Sequence, residues 1–74
     1  MDIRNLVKMA NQIGSFFESM PDREQAKADI ASHLKKFWAP RMRQAIVEGL
    51  ATQDTDELMP IVREAIDGHR GLLA

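Results

Sequence analysis

The stretch Ile3–Asp22, IRNLVKMANQIGSFFESMPD, decides the fold. At 100° per residue, Ile3, Leu6, Val7, Met9, Ala10, Ile13, Gly14, Phe16, Phe17 and Met20 share one half of the helical wheel. Arg4, Asn5, Lys8, Asn11, Gln12, Ser15, Glu18 and Ser19 fill the other. That period predicts an amphipathic helix over about residues 2–20. Its apolar half is wider than the ~100° stripe a surface helix needs. The excess suits a second neighbouring helix or another protein. Pro21 disfavours helical geometry at Met20, and Asp22 is placed to cap the next helix with Gln25 as its reciprocal partner.

Working outward, a second helix is expected over 22–38, with Ala26, Ile30, Ala31, Leu34, Phe37 and Trp38 on its apolar arc. Pro40 stops it and suits the first position of a third helix, 40–51. There Met42, Ala45, Ile46, Gly49 and Leu50 share one side, and Val47 falls away from it beside Arg43. Thr52 to Asp56 reads as a loop, with Asp54 and Glu57 (or Asp56) as the cap of a fourth helix over 56–70. That helix buries Leu58, Met59, Ile61, Val62, Ala65 and Ile66, with His69 continuing the arc. Pro60 would then lie inside the first turn and bend it. Gly68 and Gly71 weaken the end, so Leu72 to Ala74 are expected to fray. No segment alternates with period two and no hairpin signal joins β-branched runs. The expectation is an all-α fold, a small compact bundle of four short helices in one domain, 1–74.

Seventy-four residues leave room for one small domain. Hydrophobic residues make up 45% of the chain, nine of them alanine, enough for packed helices but not for a deep walled pocket. The absence of cysteine excludes disulfides, iron–sulfur ligation, thiolate zinc and thiol catalysis. No run of 18 apolar residues exists, and the N-terminus lacks the order of a signal peptide, so a cytoplasmic protein with no membrane role is expected. The net charge of −1 is uneven. No Asp or Glu lies between Asp29 and Glu48, whereas Lys35, Lys36, Arg41 and Arg43 do, giving that stretch +4.

Those four cations are the candidate anion-binding residues; the alternative is a solvated face. A nucleic-acid module of this size carries net positive charge. The segments around Pro40 still permit a helix-turn-helix reading as a remote alternative, with Arg41 and Arg43 opening a recognition helix. Against it stand the short connection and the negative charge. Metal binding lacks ligands, since His33 and His69 are the only histidines and lie 36 residues apart. Ser15, Ser19 and Ser32 sit on polar helix positions, no phosphate loop or nucleophile elbow occurs, and Asp54, Asp56 and Glu57 look like caps. No catalytic residue is expected.

The aromatic residues come as adjacent pairs, Phe16-Phe17 and Phe37-Trp38, whose members point about 100° apart on a helix. Phe17 and Phe37 are expected in the core, Phe16 and Trp38 at its margin. An aromatic beside arginine has the composition of a protein–protein hot spot, although four aromatics filling a small core is an equally simple outcome. Met9, Phe16 and Met20 along helix 1, with Trp38, Arg41 and Arg43 at the Pro40 corner, are the candidate partner-binding residues. Substituting Arg41 or Arg43 is expected to spare the fold.

Two segments, Met9-Ala10-Asn11-Gln12-Ile13-Gly14-Ser15-Phe16-Phe17 and His33-Leu34-Lys35-Lys36-Phe37-Trp38-Ala39-Pro40-Arg41-Met42-Arg43, resemble the signature segments of the delta subunit of NAD-dependent formate dehydrogenase. The resemblance runs through nearly the whole chain, including the Met20-Pro21-Asp22 junction and Ile61 to Ala65, and is weakest at Gly49 to Glu57. It implies a non-catalytic accessory subunit without a cofactor of its own. The expected partner is the alpha subunit, which in that family carries the bis-MGD molybdenum centre and iron–sulfur clusters. The beta subunit carries FMN and reduces NAD, and the gamma subunit carries a further cluster. The resemblance implies a role in assembly or stability of the complex, or alternatively in insertion of the molybdenum cofactor, with the basic stretch touching its phosphates.

Overall fold

In the computed structural model, which describes all 74 residues, the chain folds as α1 (Ile3–Phe17), α2 (Arg23–Phe37), α3 (Pro40–Gly49), a 3-10 turn (Gln53–Thr55), α4 (Pro60–Gly68) and a short α5 (Arg70–Leu73). There are no strands, and the expected all-α class with four principal helices is what forms. Asp2 caps α1 by accepting from the Arg4 N–H at 2.9 Å. Asp22 caps α2 by accepting from the Gln25 N–H at 3.1 Å. The reciprocal half of that expected capping box is absent, because the Gln25 amide donates instead to Asp29 at 2.9 Å. Pro40 takes the first position of α3, where its missing N–H costs nothing.

α2 packs against α1, α4 and α5, and α1 also meets α3 and α4. The fully buried side chains include Ile30, Leu34, Ile46, Val62, Ile66 and Leu73. At the α1–α4 approach, a Cβ on Gly14 would overlap Val62 Cγ2 and lie 3.3 Å from Met59 Sδ, so only glycine fits.

Three expectations about the C-terminal third are corrected. Helix 4 begins at Pro60, not near residue 56, so the proline occupies a first-turn position and no bend is needed. α4 starts after Met59 with no side-chain cap, so neither Asp54 nor Asp56 caps it, and the preceding stretch is a 3-10 turn capped by Thr52. Side chains distant in sequence hold it. The Asn11 amide donates to Glu57 O and accepts from Met59 N, both at 2.9 Å. Arg63 donates to Leu50 O, Thr55 O and Thr55 Oγ1, and Thr55 Oγ1 in turn donates to Gly49 O at 2.9 Å. The chain end does not fray either: α5 forms after His69, and Leu73 is fully buried.

The protein exposes 4609 Å² of surface, against about 4600 Å² expected of a folded monomer of 8.4 kDa. Its exposed apolar side chains are therefore not a sign of loose packing.

Candidate partner-binding surface

α1 has more apolar side chains than the core can take. Leu6, Val7 and Ala10 are buried, while Met9 stays 39% and Phe16 78% exposed. Phe17 is half-buried and meets Phe16 edge-on, with ring centroids 5.1 Å apart. Phe16 and Phe17 thus divide as the sequence predicts.

The other pair is inverted. Trp38 is only 6% exposed and Phe37 is 71% exposed. The reason is the helix end. α2 stops at Phe37, and Trp38 takes an extended conformation with ψ 140°. Trp38 therefore leaves the helical path and turns back into the core, and Phe37, the last helical residue, stays outside. Phe37 instead stacks at a tilt on His33, with centroids 4.7 Å apart.

Three shallow, solvent-open hollows follow from this arrangement. The first, about 700 Å³, lies between the start of α1 and the Pro40 corner and is lined by Met1, Asp2, Asn5, Leu6, Met9, Ala39, Pro40, Arg41 and Met42. The second, about 430 Å³, is lined by Met9, Gln12, Ile13, Phe16, Phe17, His33 and Trp38. The third, about 210 Å³, is lined by Phe17, Asp29, Ser32, His33, Lys36 and Phe37. Met9 is common to the first two, and Phe17 and His33 to the last two. Through these shared residues the hollows adjoin, forming an interrupted trough from the Pro40 corner along α1 to the end of α2.

Among the expected partner-binding residues, Met9, Phe16, Trp38 and Arg41 line this trough. Met20 does not; it is half-buried and packs against the core. Arg43 must be corrected. It is 8% exposed, and its guanidinium donates to Leu73 O at 3.3 Å, Lys35 O at 3.0 Å and Trp38 O at 2.9 Å. It therefore satisfies orphan carbonyls at the C-terminal end of α2 and ties α5 to them. It faces the interior, and its removal is expected to cost stability rather than leave the fold untouched. The anion site expected at Lys35, Lys36, Arg41 and Arg43 loses that cation. Lys36 and Arg41 line different hollows, and Lys35 lines none. Sequence reasoning missed Phe37 and Met1 as surface residues; the stop at Pro40 was the available signal for Phe37.

The ionic cluster on α2 and α4 is separate from the trough linings. Arg23 meets Glu64 at 2.9 Å, and Lys27 lies 2.6 Å from Glu24 and 3.5 Å from Glu64. The hydrogen bond from Arg23, helped by the charge of Lys27, holds the Glu64 carboxyl below the usual range. The same contacts raise Lys27, chiefly through Glu24, and Arg23, chiefly through Glu64.

The sequence matches the family described as NADH-dependent formate dehydrogenase delta subunit FdsD over residues 5–66. The chain belongs to the FdsD family. The matched span runs from the first turn of α1 into α4 and takes in the linings of the second and third hollows entirely. No curated protein and no solved structure matches the chain. Both segments that carried the resemblance to FdsD lie within the match, and every residue lining the second hollow comes from one or the other of them. No helix is long and apolar enough to cross a membrane.

Proposed function

We propose that this FdsD-family protein is a non-catalytic accessory subunit that binds the catalytic alpha subunit of a cytoplasmic NAD-dependent formate dehydrogenase and supports its assembly or stability. The observation that carries this reading is the second hollow, where segments 9–17 and 33–43 face each other across exposed apolar surface. A monomer of this size gains nothing by leaving Phe16 in water, whereas a partner that covers it recovers the burial of a large aromatic. On this reading the molybdenum centre, iron–sulfur clusters, FMN and NAD site belong to the other subunits. This chain supplies contact surface. Direct cofactor insertion by a grip on phosphates is less well supported, because Arg43 is committed to backbone carbonyls.

The test is to produce the alpha, beta and gamma subunits with and without this chain and to record complex mass and molybdenum content together. The expected result is a stoichiometric chain in the intact complex and less intact complex without it. Absence of the chain from the purified complex, with unchanged yield, contradicts the proposal. A fall in molybdenum content at unchanged complex mass favours a maturation role instead.

A further inference from the structure

We infer that the trough beside α1 receives an amphipathic α-helix of the catalytic subunit, its apolar stripe over Met9, Phe16 and Trp38 and acidic residues on its flank toward Arg41 and Lys36. This rests on the function proposed above and states what the docking element is. From Asn5 to Phe17 α1 rises about 18 Å at 1.5 Å per residue, the length of a helix of about 12 residues. The trough walls are mainly methionine, phenylalanine, leucine, isoleucine and tryptophan side chains, with Asp2, Asn5, Gln12, His33 and Arg41 as the polar minority. An extended segment laid there would turn part of its backbone N–H and C=O groups toward apolar walls that offer them few partners. The protein has no strand whose edge could pair with it. A helix satisfies its own backbone and offers a continuous apolar stripe.

The charge of the flank follows from the rim. Lys36 and Arg41, which line it, are exposed and take part in no ion pair. The acids in the trough linings are Asp2, which is paired with Arg4 Nε at 3.6 Å, and Asp29, which keeps its charge because its partner is a neutral amide. Asp2 accepts from the Arg4 N–H at 2.9 Å, and Asp29 accepts from the Gln25 amide at 2.9 Å. With Asp2 paired, the single charge of Asp29 stands against those of Lys36 and Arg41, so the balance around the trough is positive and its complement is acidic. A second copy of this chain is the poorer occupant, because a two-fold contact sets this same rim against itself.

The experiment uses the full chain in complex with the catalytic subunit. A photo-reactive benzoylphenylalanine replaces Met9 or Phe16, and Arg23 on the ionic face serves as control. The expected adducts from positions 9 and 16 fall within one helical, acid-bearing segment of the catalytic subunit, with none from position 23. In parallel, Lys36→Glu and Arg41→Glu are expected to weaken binding by about tenfold and flatten its salt dependence. Adducts to another copy of this chain, to lipid, or to a non-helical or basic segment overturn the inference. So does unchanged affinity of both charge-reversed variants. Adducts to the catalytic subunit from position 23 alone overturn the trough as the site while leaving the accessory-subunit function standing. Failure of the unmodified chain to bind the catalytic subunit overturns both.

Discussion

Arg43 and Arg41 are two residues apart and have opposite roles. Arg41 stands exposed at the Pro40 corner, whereas Arg43 is buried and gives its guanidinium to the carbonyls of Lys35, Trp38 and Leu73. Replacing Arg43 by alanine leaves buried carbonyls without donors, at about 1–3 kcal/mol for each one that water does not reach. Arg43→Ala is therefore expected to lower unfolding stability by about 3 kcal/mol, read from the denaturant midpoint. Arg41→Ala is expected to stay within about 0.5 kcal/mol of the parent, as surface substitutions do. Equal midpoints for the two variants would contradict the assignment. Arg43→Lys is expected to recover only part of the loss, because an ammonium does not present the forked donors of a guanidinium. Charge counting along the chain placed both arginines in one basic stretch; nothing in a linear sequence distinguishes a cation facing water from one facing three carbonyls.

At the scale of elements, what was legible followed from local rules. Period, the Met20-Pro21-Asp22 stop and Pro40 as a helix start are consequences of backbone geometry, and they gave α1, α2 and α3 nearly in place. The start of α4 was misplaced because its determinants are remote. Asn11, on the polar half of α1, holds Glu57 and Met59, and Arg63 holds Leu50 and Thr55. Partners 46 and 48 positions away leave no local signal. Trp38 was misplaced because helical periodicity was carried one residue beyond the helix. The α1–α4 approach supplies a second test. Gly14→Ala is expected to destabilise by about 1–3 kcal/mol through overpacking against Val62, despite alanine's better helix propensity. Gly68 meets nothing within 4 Å at its Cβ position and has no positive φ. Gly68→Ala is therefore expected to stabilise by up to about 1 kcal/mol. Thermal unfolding of the pair reads both signs; a stabilising Gly14→Ala would contradict the close approach.

Over the whole molecule, the two sides of α2 have different tasks. Toward α4, Arg23, Lys27, Glu24 and Glu64 join helices through ion pairs at the surface. Because folding lowers the Glu64 pKa, its contribution is complete above the ordinary value near 4.5 and is lost as pH falls through the lowered one. The raised Lys27 acts in the opposite sense, contributing below its ordinary value of 10.5 and losing that contribution as pH rises through the raised one. Glu64→Gln is expected to make the acid limb of the Tm–pH curve shallower while leaving neutral stability little changed, since exposed pairs are worth little. A limb as steep as that of the parent would remove Glu64 from the account.

Toward α1 and α3, the molecule keeps a trough with Phe16 at its margin, which on the proposed function the catalytic subunit covers. The most direct measurement is the affinity of the Phe16→Asp chain for the isolated alpha subunit, compared with the parent chain at equal helicity. Phe16 is 78% exposed, so the fold is expected to survive the change. Loss of an interface aromatic costs about 2 kcal/mol or more, roughly a thirtyfold rise in Kd. Binding at least that much weaker with helicity intact is the predicted result. A folded Phe16→Asp chain that binds the alpha subunit with the parent's Kd would contradict the claim.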